Sequence, residues 1–159
     1  MEAMTEQALS KKNVLEFIRE YFNTVVPFNI LVGLHVTKMT PEVVEVHTAM
    51  RKELIGNTVQ KILHGGVVST LLDVAGGLVA MAQSIEKLDD LTPENVEIHL
   101  KNVGTIDLRI DYLLPGRGEE FTAYAYVIRH GKKVVVSRME LENEKGDQLA
   151  VGTGTYIVG

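Results

Sequence analysis

Between Val67 and Ala82 the chain carries a single charge, Asp73, and the tripeptide His64-Gly65-Gly66 stands directly before that run. A segment this apolar has to be buried, and burying a carboxylate among Val67, Val68, Leu71, Leu72, Leu78 and Val79 costs several kcal/mol unless partners or a task offset it. On a helix starting at Gly66, Ser69 and Thr70 precede Asp73 by one turn, while Gly76 and Gly77 follow it by one turn, so all five share a face. That stripe is small and polar on an otherwise oily helix. It lets another backbone or a ligand approach the carboxylate, which makes Ser69 and Thr70 substrate-side candidates together with Gly66. The Gly65-Gly66 step adds N–H groups at a helix N-terminus, where the dipole favours developing negative charge.

Blander explanations exist for each of these residues. The run is shorter than the roughly 20 apolar residues that a membrane span requires and holds a charge and two glycines. Asp73 is open to a structural reading, as an acid satisfied by Ser69 or by a backbone amide. His64 is a catalytic candidate as well, but beside two glycines it is also open to a role as helix cap or loop anchor.

The bulk properties narrow the field. A chain of 159 residues is expected to form one domain, 1–159, with residues 1–26 as an N-terminal helical extension. A net charge of −5 and an isoelectric point near 5.5 argue against general nucleic-acid or anionic-membrane binding, which need a basic footprint. Cysteine is absent, which removes disulfides, thiolate metal sites and cysteine nucleophiles. Met1 to Glu6 is acidic and polar instead of basic-then-apolar, so a cytoplasmic protein is expected.

Along the chain, Thr5 to Phe22 reads as an amphipathic helix that Val26-Pro27-Phe28-Asn29 ends. Leu31 to Lys38 and Val43 to Met50 read as strands. Gly56-Asn57 marks a loop before the buried helix, and Thr92-Pro93-Glu94 opens a short second helix ending near Gly104. In Thr105 to Leu114 the even positions are apolar, and Thr105, Asp107, Arg109 and Asp111 alternate against them, which predicts a strand with one buried face. Turns at Pro115 to Gly118, at His130-Gly131 and at Asn143 to Asp147 separate three further strands, Glu120 to Arg129, Lys133 to Leu141 and Gln148 to Val158. The last four strands are expected to form a meander. The expected fold is α+β: a strongly curved antiparallel sheet wrapped around one long central helix whose small-residue stripe faces the remaining opening.

This order of elements, with Leu63-His64-Gly65-Gly66, Asp73 nine residues after the histidine, and Gly104 to Arg109 leading to Tyr112-Leu113-Leu114-Pro115-Gly116, resembles the hotdog-fold acyl-CoA thioesterases of the PaaI type. Leu54 to His64, Thr105 to Glu119 and the Gly152 to Gly159 tail look closest to the YigI-like medium- and long-chain branch. The resemblance implies an acyl-CoA substrate and no cofactor, since coenzyme A belongs to the substrate. It implies that the Gly65 N–H receives the thioester carbonyl and that Asp73 is either the general base on water or the nucleophile that forms a mixed anhydride. It also implies that Thr105, ten positions before Pro115, orients the attacking water. In that family the site lies across a homodimer or a dimer of dimers, with Asp73 and Thr105 from one subunit and Gly65 and Asn57 from the other. One departure stands out: the family's catalytic asparagine lies six residues before the histidine, where this chain has Thr58, and Asn57 sits seven before. Asn57 therefore reads either as that residue displaced by one or as part of a Gly-Asn turn.

Other candidates are thinner. Lys132, Lys133 and Arg138 are placed to meet coenzyme A phosphates, or Lys132-Lys133 is a solvated hairpin tip. Arg109, between Asp107 and Asp111, suits local charge pairing. His35, His47, His99 and His130 share no ligand spacing, so no metal site is expected. Two rival functions fit the same scaffold: an enoyl-acyl hydratase or dehydratase using His64 with an acid, and a non-catalytic acyl-CoA binder.

Overall fold

The computed structural model describes residues 10–158. Helix α1 spans Lys11–Thr24, begun by Ser10, whose hydroxyl accepts the Asn13 N–H at 3.2 Å. Residues 5–9 of the expected helix lie outside the described residues. Val14, Leu15 and Ile18 form its buried stripe, and Phe17, Tyr21 and Phe22 lie beside it. Pro27 does more than end α1. It takes the first position of a second helix, α2 (Pro27–Val32), because its missing N–H is one the first turn leaves unused. Gly33, at φ 72°, closes α2 in the left-handed region. Leu31 is thus helical, and strand β1 (His35–Met39) begins later than the sequence pattern predicts.

Strand β2 (Val44–Ala49) follows, then a small hairpin of β3 (Ile55–Asn57) and β4 (Ile62–Leu63). Gly56 and Asn57 therefore end a strand, and the loop starts after them. Helix α3 (Gly65–Glu86) is the long buried element and α4 (Pro93–Asn102) the short one, capped by Thr92 as its sequence signature requires. Strands β5 (Gly104–Tyr112), β6 (Glu120–His130), β7 (Val134–Asn143) and β8 (Gln148–Ile157) complete the chain.

All pairings in the six-stranded sheet are antiparallel, in the order β1-β2-β6-β7-β8-β5. Only β6, β7 and β8 form a meander. The segment after β5 cannot close a hairpin because its backbone bonds are committed elsewhere: Leu63 N–H donates to Gly116 C=O at 2.8 Å, and Met50 N–H to Glu119 C=O at 2.7 Å. Those bonds lead the chain under the sheet to pair with β2, and β5 is left at the edge beyond β8.

Helix α3 is held mainly by β6 and β7. Alternation along these strands points Phe121, Ala123, Ala125, Met139 and Leu141 inward against Leu71, Leu72, Ala75 and Leu78 of α3. By length and composition α3 would reach across a membrane, yet most of its apolar length is enclosed by the protein's own sheet. The expected small-residue stripe divides. Gly76 faces the sheet, where its carbonyl accepts from Ser137 Oγ at 3.0 Å and Tyr156 and Met139 leave no room for a Cβ. Asp73 and Gly77, by contrast, border an open cleft.

The expected buried face of β5 is also only partial. Leu108 and Ile110 are half-buried, whereas Ile106 and Tyr112, with Leu114 just beyond the strand, are at least half exposed. A bulge between Thr105 and Asp107 breaks the alternation, and β5 has a neighbour strand on one side only.

Candidate active site

Asp73 sits mid-way along α3, half-buried, at the bottom of a cleft of about 160 Å³ bordered by Phe22, Gly77, Met81, Val103, Gly104 and Thr105. Its position follows from the helix phase: Leu72 and Ala75 face the sheet, which turns Asp73 toward the start of β5. Thr105 is the second residue of that strand, beside the bulge, and its hydroxyl donates to Asp73 Oδ1 at 2.9 Å. The two side chains that the sequence singled out separately are in contact.

Tyr156, which the sequence reading passed over, supports the acid from below. It is buried on β8, and its hydroxyl donates to the Asp73 main-chain carbonyl at 3.3 Å. Burial pushes this phenol far above its usual range, and the Asp73 carboxylate beside it adds to the shift, so the group remains a donor at any physiological pH. The available signal was the pair of glycines in α3: Gly77 lies against the Tyr156 ring, and Gly76 leaves room for its hydroxyl.

A second candidate group lies at the front of α3. His64 is the N-cap, its Nδ1 accepting the Gly66 N–H at 2.8 Å, which places the neutral ring's proton on Nε2. The His64 carbonyl takes the N–H groups of Val67 and Val68. Among the described residues, the Gly65 N–H alone of this first turn has no intramolecular acceptor, and it points out at the positive end of a 22-residue helix. A second residue missed by the sequence reading, Tyr112, fixes this corner by donating its hydroxyl to Gly65 C=O at 2.9 Å. Tyr112, Leu63, Val68 and Leu114 line a cleft of about 460 Å³ at Gly65.

The remaining candidates lie elsewhere or are already engaged. Ser69 Oγ donates back to the carbonyls of Gly65 and Gly66 at 3.0 and 3.1 Å, and Thr70 Oγ1 donates to Gly66 C=O at 2.8 Å. Asn57 Oδ1 accepts the N–H groups of Val59 and Gln60 at 3.0 Å, the bonds of an Asx turn. Lys132 and Lys133 are exposed at the tip of the β6–β7 hairpin. Arg138 lies on the outer face of the sheet and donates to Thr153 Oγ1 at 3.2 Å. Arg109 pairs with Asp111 at 3.1 Å.

Gly65 and Asp73 are eight positions apart on one helix, about 12 Å at the usual rise. One thioester cannot touch both groups of the same chain. The arrangement thus offers an acid paired with a hydroxyl, Asp73 with Thr105, and a helix-terminal donor, the Gly65 N–H, groups of the kind that can activate water and stabilise an oxyanion.

Comparison with known proteins points to thioester hydrolysis. The chain is 39% identical to a medium/long-chain acyl-CoA thioesterase, YigI, of Escherichia coli strain K12, over 95% of this chain and 97% of that protein. It is 38% identical to YigI of Salmonella typhimurium over the same shares. Among solved structures, a protein of Shewanella oneidensis related to the thioesterase superfamily superposes with a TM-score of 0.91 at 50% identity, covering 94% of this chain and 97% of that one. The family model of the thioesterase superfamily matches residues 60–150, the stretch that holds Gly65, Asp73 and Thr105. The curved sheet around α3 is the hotdog fold, and the chain belongs to the thioesterase superfamily.

Proposed function

We propose that this chain hydrolyses medium- to long-chain acyl-CoA thioesters in a homodimer or dimer of dimers, at sites completed by two subunits. The carrying observation is the Thr105–Asp73 contact, set about 12 Å from an unpaired helix-terminal N–H of the same chain. Water between Asp73 and Thr105 gives one hydrogen to the free Asp73 oxygen and the other to Thr105 Oγ1, whose own proton is held by Asp73 Oδ1. Its lone pair then attacks the thioester carbon while the proton passes to Asp73. The carbonyl oxygen, becoming an oxyanion, is stabilised by the Gly65 N–H of the facing subunit. Collapse breaks the C–S bond, and Asp73 returns the proton to the departing coenzyme A thiolate.

The hydratase alternative needs an imidazole paired with an acid. His64 is a helix cap whose Nδ1 is taken by the Gly66 amide, which disfavours that reading. The test is a panel of acyl-CoA substrates of increasing chain length, with released thiol measured, for wild type and Asp73→Asn. Asparagine is nearly isosteric and should lower kcat by roughly 10² to 10⁴-fold while thermal stability holds or rises. Wild-type turnover in the variant would remove Asp73 from the chemistry, and binding without turnover in wild type would leave an acyl-CoA-binding module.

A further inference from the structure

A second cavity, of about 370 Å³, opens between α1, α3 and α4. Its walls are Phe17, Tyr21 and Phe22 of α1, Met81 of α3, and Leu100 and Val103 at the end of α4. Phe22, Met81 and Val103 also line the Asp73 cleft, so the two spaces meet across these three side chains. The walls are apolar apart from two side chains of opposite charge. The charged side chains, Glu97 and Lys101, pair with each other at 2.5 Å, one turn apart on α4. An apolar space of this size, entered from a reactive carboxylate, is suited to a flexible hydrocarbon.

We propose that this cavity takes the distal part of the substrate's acyl chain, and that α1 and α4 together set which chain lengths are hydrolysed. The proposal rests on the thioesterase reading, since it starts from a thioester carbon held at Asp73. From that carbon the acyl chain leaves past Phe22 and Met81, the direction in which the cleft continues. Met81, buried and unbranched, gives the passage an adaptable wall. Three of the cavity's residues, Phe17, Tyr21 and Phe22, precede residues 60–150, the stretch that matches the thioesterase family model. Part of the selecting wall is thus contributed by α1, outside that stretch, while α3 and α4 supply the rest from within it. Each methylene that gains or loses apolar cover changes kcat/KM by about fourfold, so blocking a few of them is a large effect.

Two substitutions of opposite sense test it. Leu100→Trp fills the cavity from α4, and Phe17→Ala enlarges it from α1. For each, kcat/KM is measured on butanoyl-, octanoyl-, dodecanoyl- and hexadecanoyl-CoA, and the quantity read is the long-to-short ratio. Leu100→Trp should lower the ratio of dodecanoyl to butanoyl by on the order of tenfold to a hundredfold. Phe17→Ala should move the optimum toward hexadecanoyl. Ratios equal to wild type in both variants would overturn the inference, whatever happens to overall rates. If Leu100→Trp loses its fold, Phe17→Ala alone decides, since an unchanged optimum there refutes the cavity's role. Failure of the thioesterase reading is separate: wild type would then release no thiol from any of the four substrates.

Discussion

Thr105 illustrates how a single hydroxyl is placed by both neighbours and backbone. It sits one residue inside β5, next to the bulge, exposed to solvent yet within 2.9 Å of Asp73. Thr105→Val removes the hydroxyl and keeps the β-branched shape that strands favour, so the loss should fall on catalysis more than on folding. We expect kcat to fall tenfold to a hundredfold, about 1.4 to 2.7 kcal/mol of transition-state stabilisation, while Thr105→Ser keeps most activity. Steady-state kinetics in which Val matches wild type and Ser is impaired would make Thr105 a packing residue. That Asp73 borders an open cleft and that Gly65 opens α3 was legible in the sequence, because a lone acid in an apolar helix and a glycine pair at its start are rare enough to need a reason. Tyr156 and Tyr112 were not, since each acts on a main-chain carbonyl of α3 and nothing in strand alternation marks which tyrosine will do so.

At the scale of elements, local pattern identified most helices and strands but not their neighbours. The alternation of β6, β7 and β8 reads directly, whereas the position of β5 depends on backbone bonds from Gly116 and Glu119 to distant residues. Pro27 was readable as a break and not as the start of α2, because both uses share the same fixed φ. The β6–β7 hairpin offers a test of how its tip is tied to α3. His130 Nε2 lies 3.2 Å from Ser84 Oγ, whose own proton goes to Ala80 C=O at 2.9 Å, so the ring is the donor. Burial, with nearby Lys87 adding to it, holds His130 below its ordinary 6.5. The fold therefore prefers the neutral ring: its contribution is complete above about pH 6.5 and is lost as pH falls from there through the lowered folded value. Thermal unfolding at about pH 7.5 and about pH 5.5 should show a larger drop in Tm for wild type than for His130→Gln, which keeps a donor without titrating. Equal drops would mean that the histidine is not what couples this hairpin to pH.

For the whole molecule, the proposed acid and the proposed oxyanion donor lie on one chain in places that cannot meet. Gly65 and Asp73 are about 12 Å apart on a rigid helix, and β5 leaves an unpaired strand edge with Ile106, Tyr112, Leu113 and Leu114 about half exposed beside it. Such an edge is suited to pairing with another strand, and on the function proposed above that strand belongs to a second copy that brings its Gly65 to this Asp73. A pair of inactive variants tests the sharing. Gly65→Pro deletes only the N–H at the helix's first position, where proline is well tolerated, and His64 at φ −65°, ψ 133° already has the extended conformation that a following proline requires. A Cβ at Gly65 would meet the Tyr112 ring at 3.5 Å, ordinary contact, so the helix start should survive. Gly65→Pro and Asp73→Asn should each be nearly inactive as homodimers. When subunits are mixed equally and allowed to exchange, half of the dimers are mixed, and each mixed dimer has one site with both defects and one with neither. Activity should therefore return to about a quarter of wild type, in proportion to the mixed species isolated by differential tagging. A site contained within one subunit would leave every combination inactive, and that outcome would refute the shared centre while leaving the separate effect of Asp73→Asn in place.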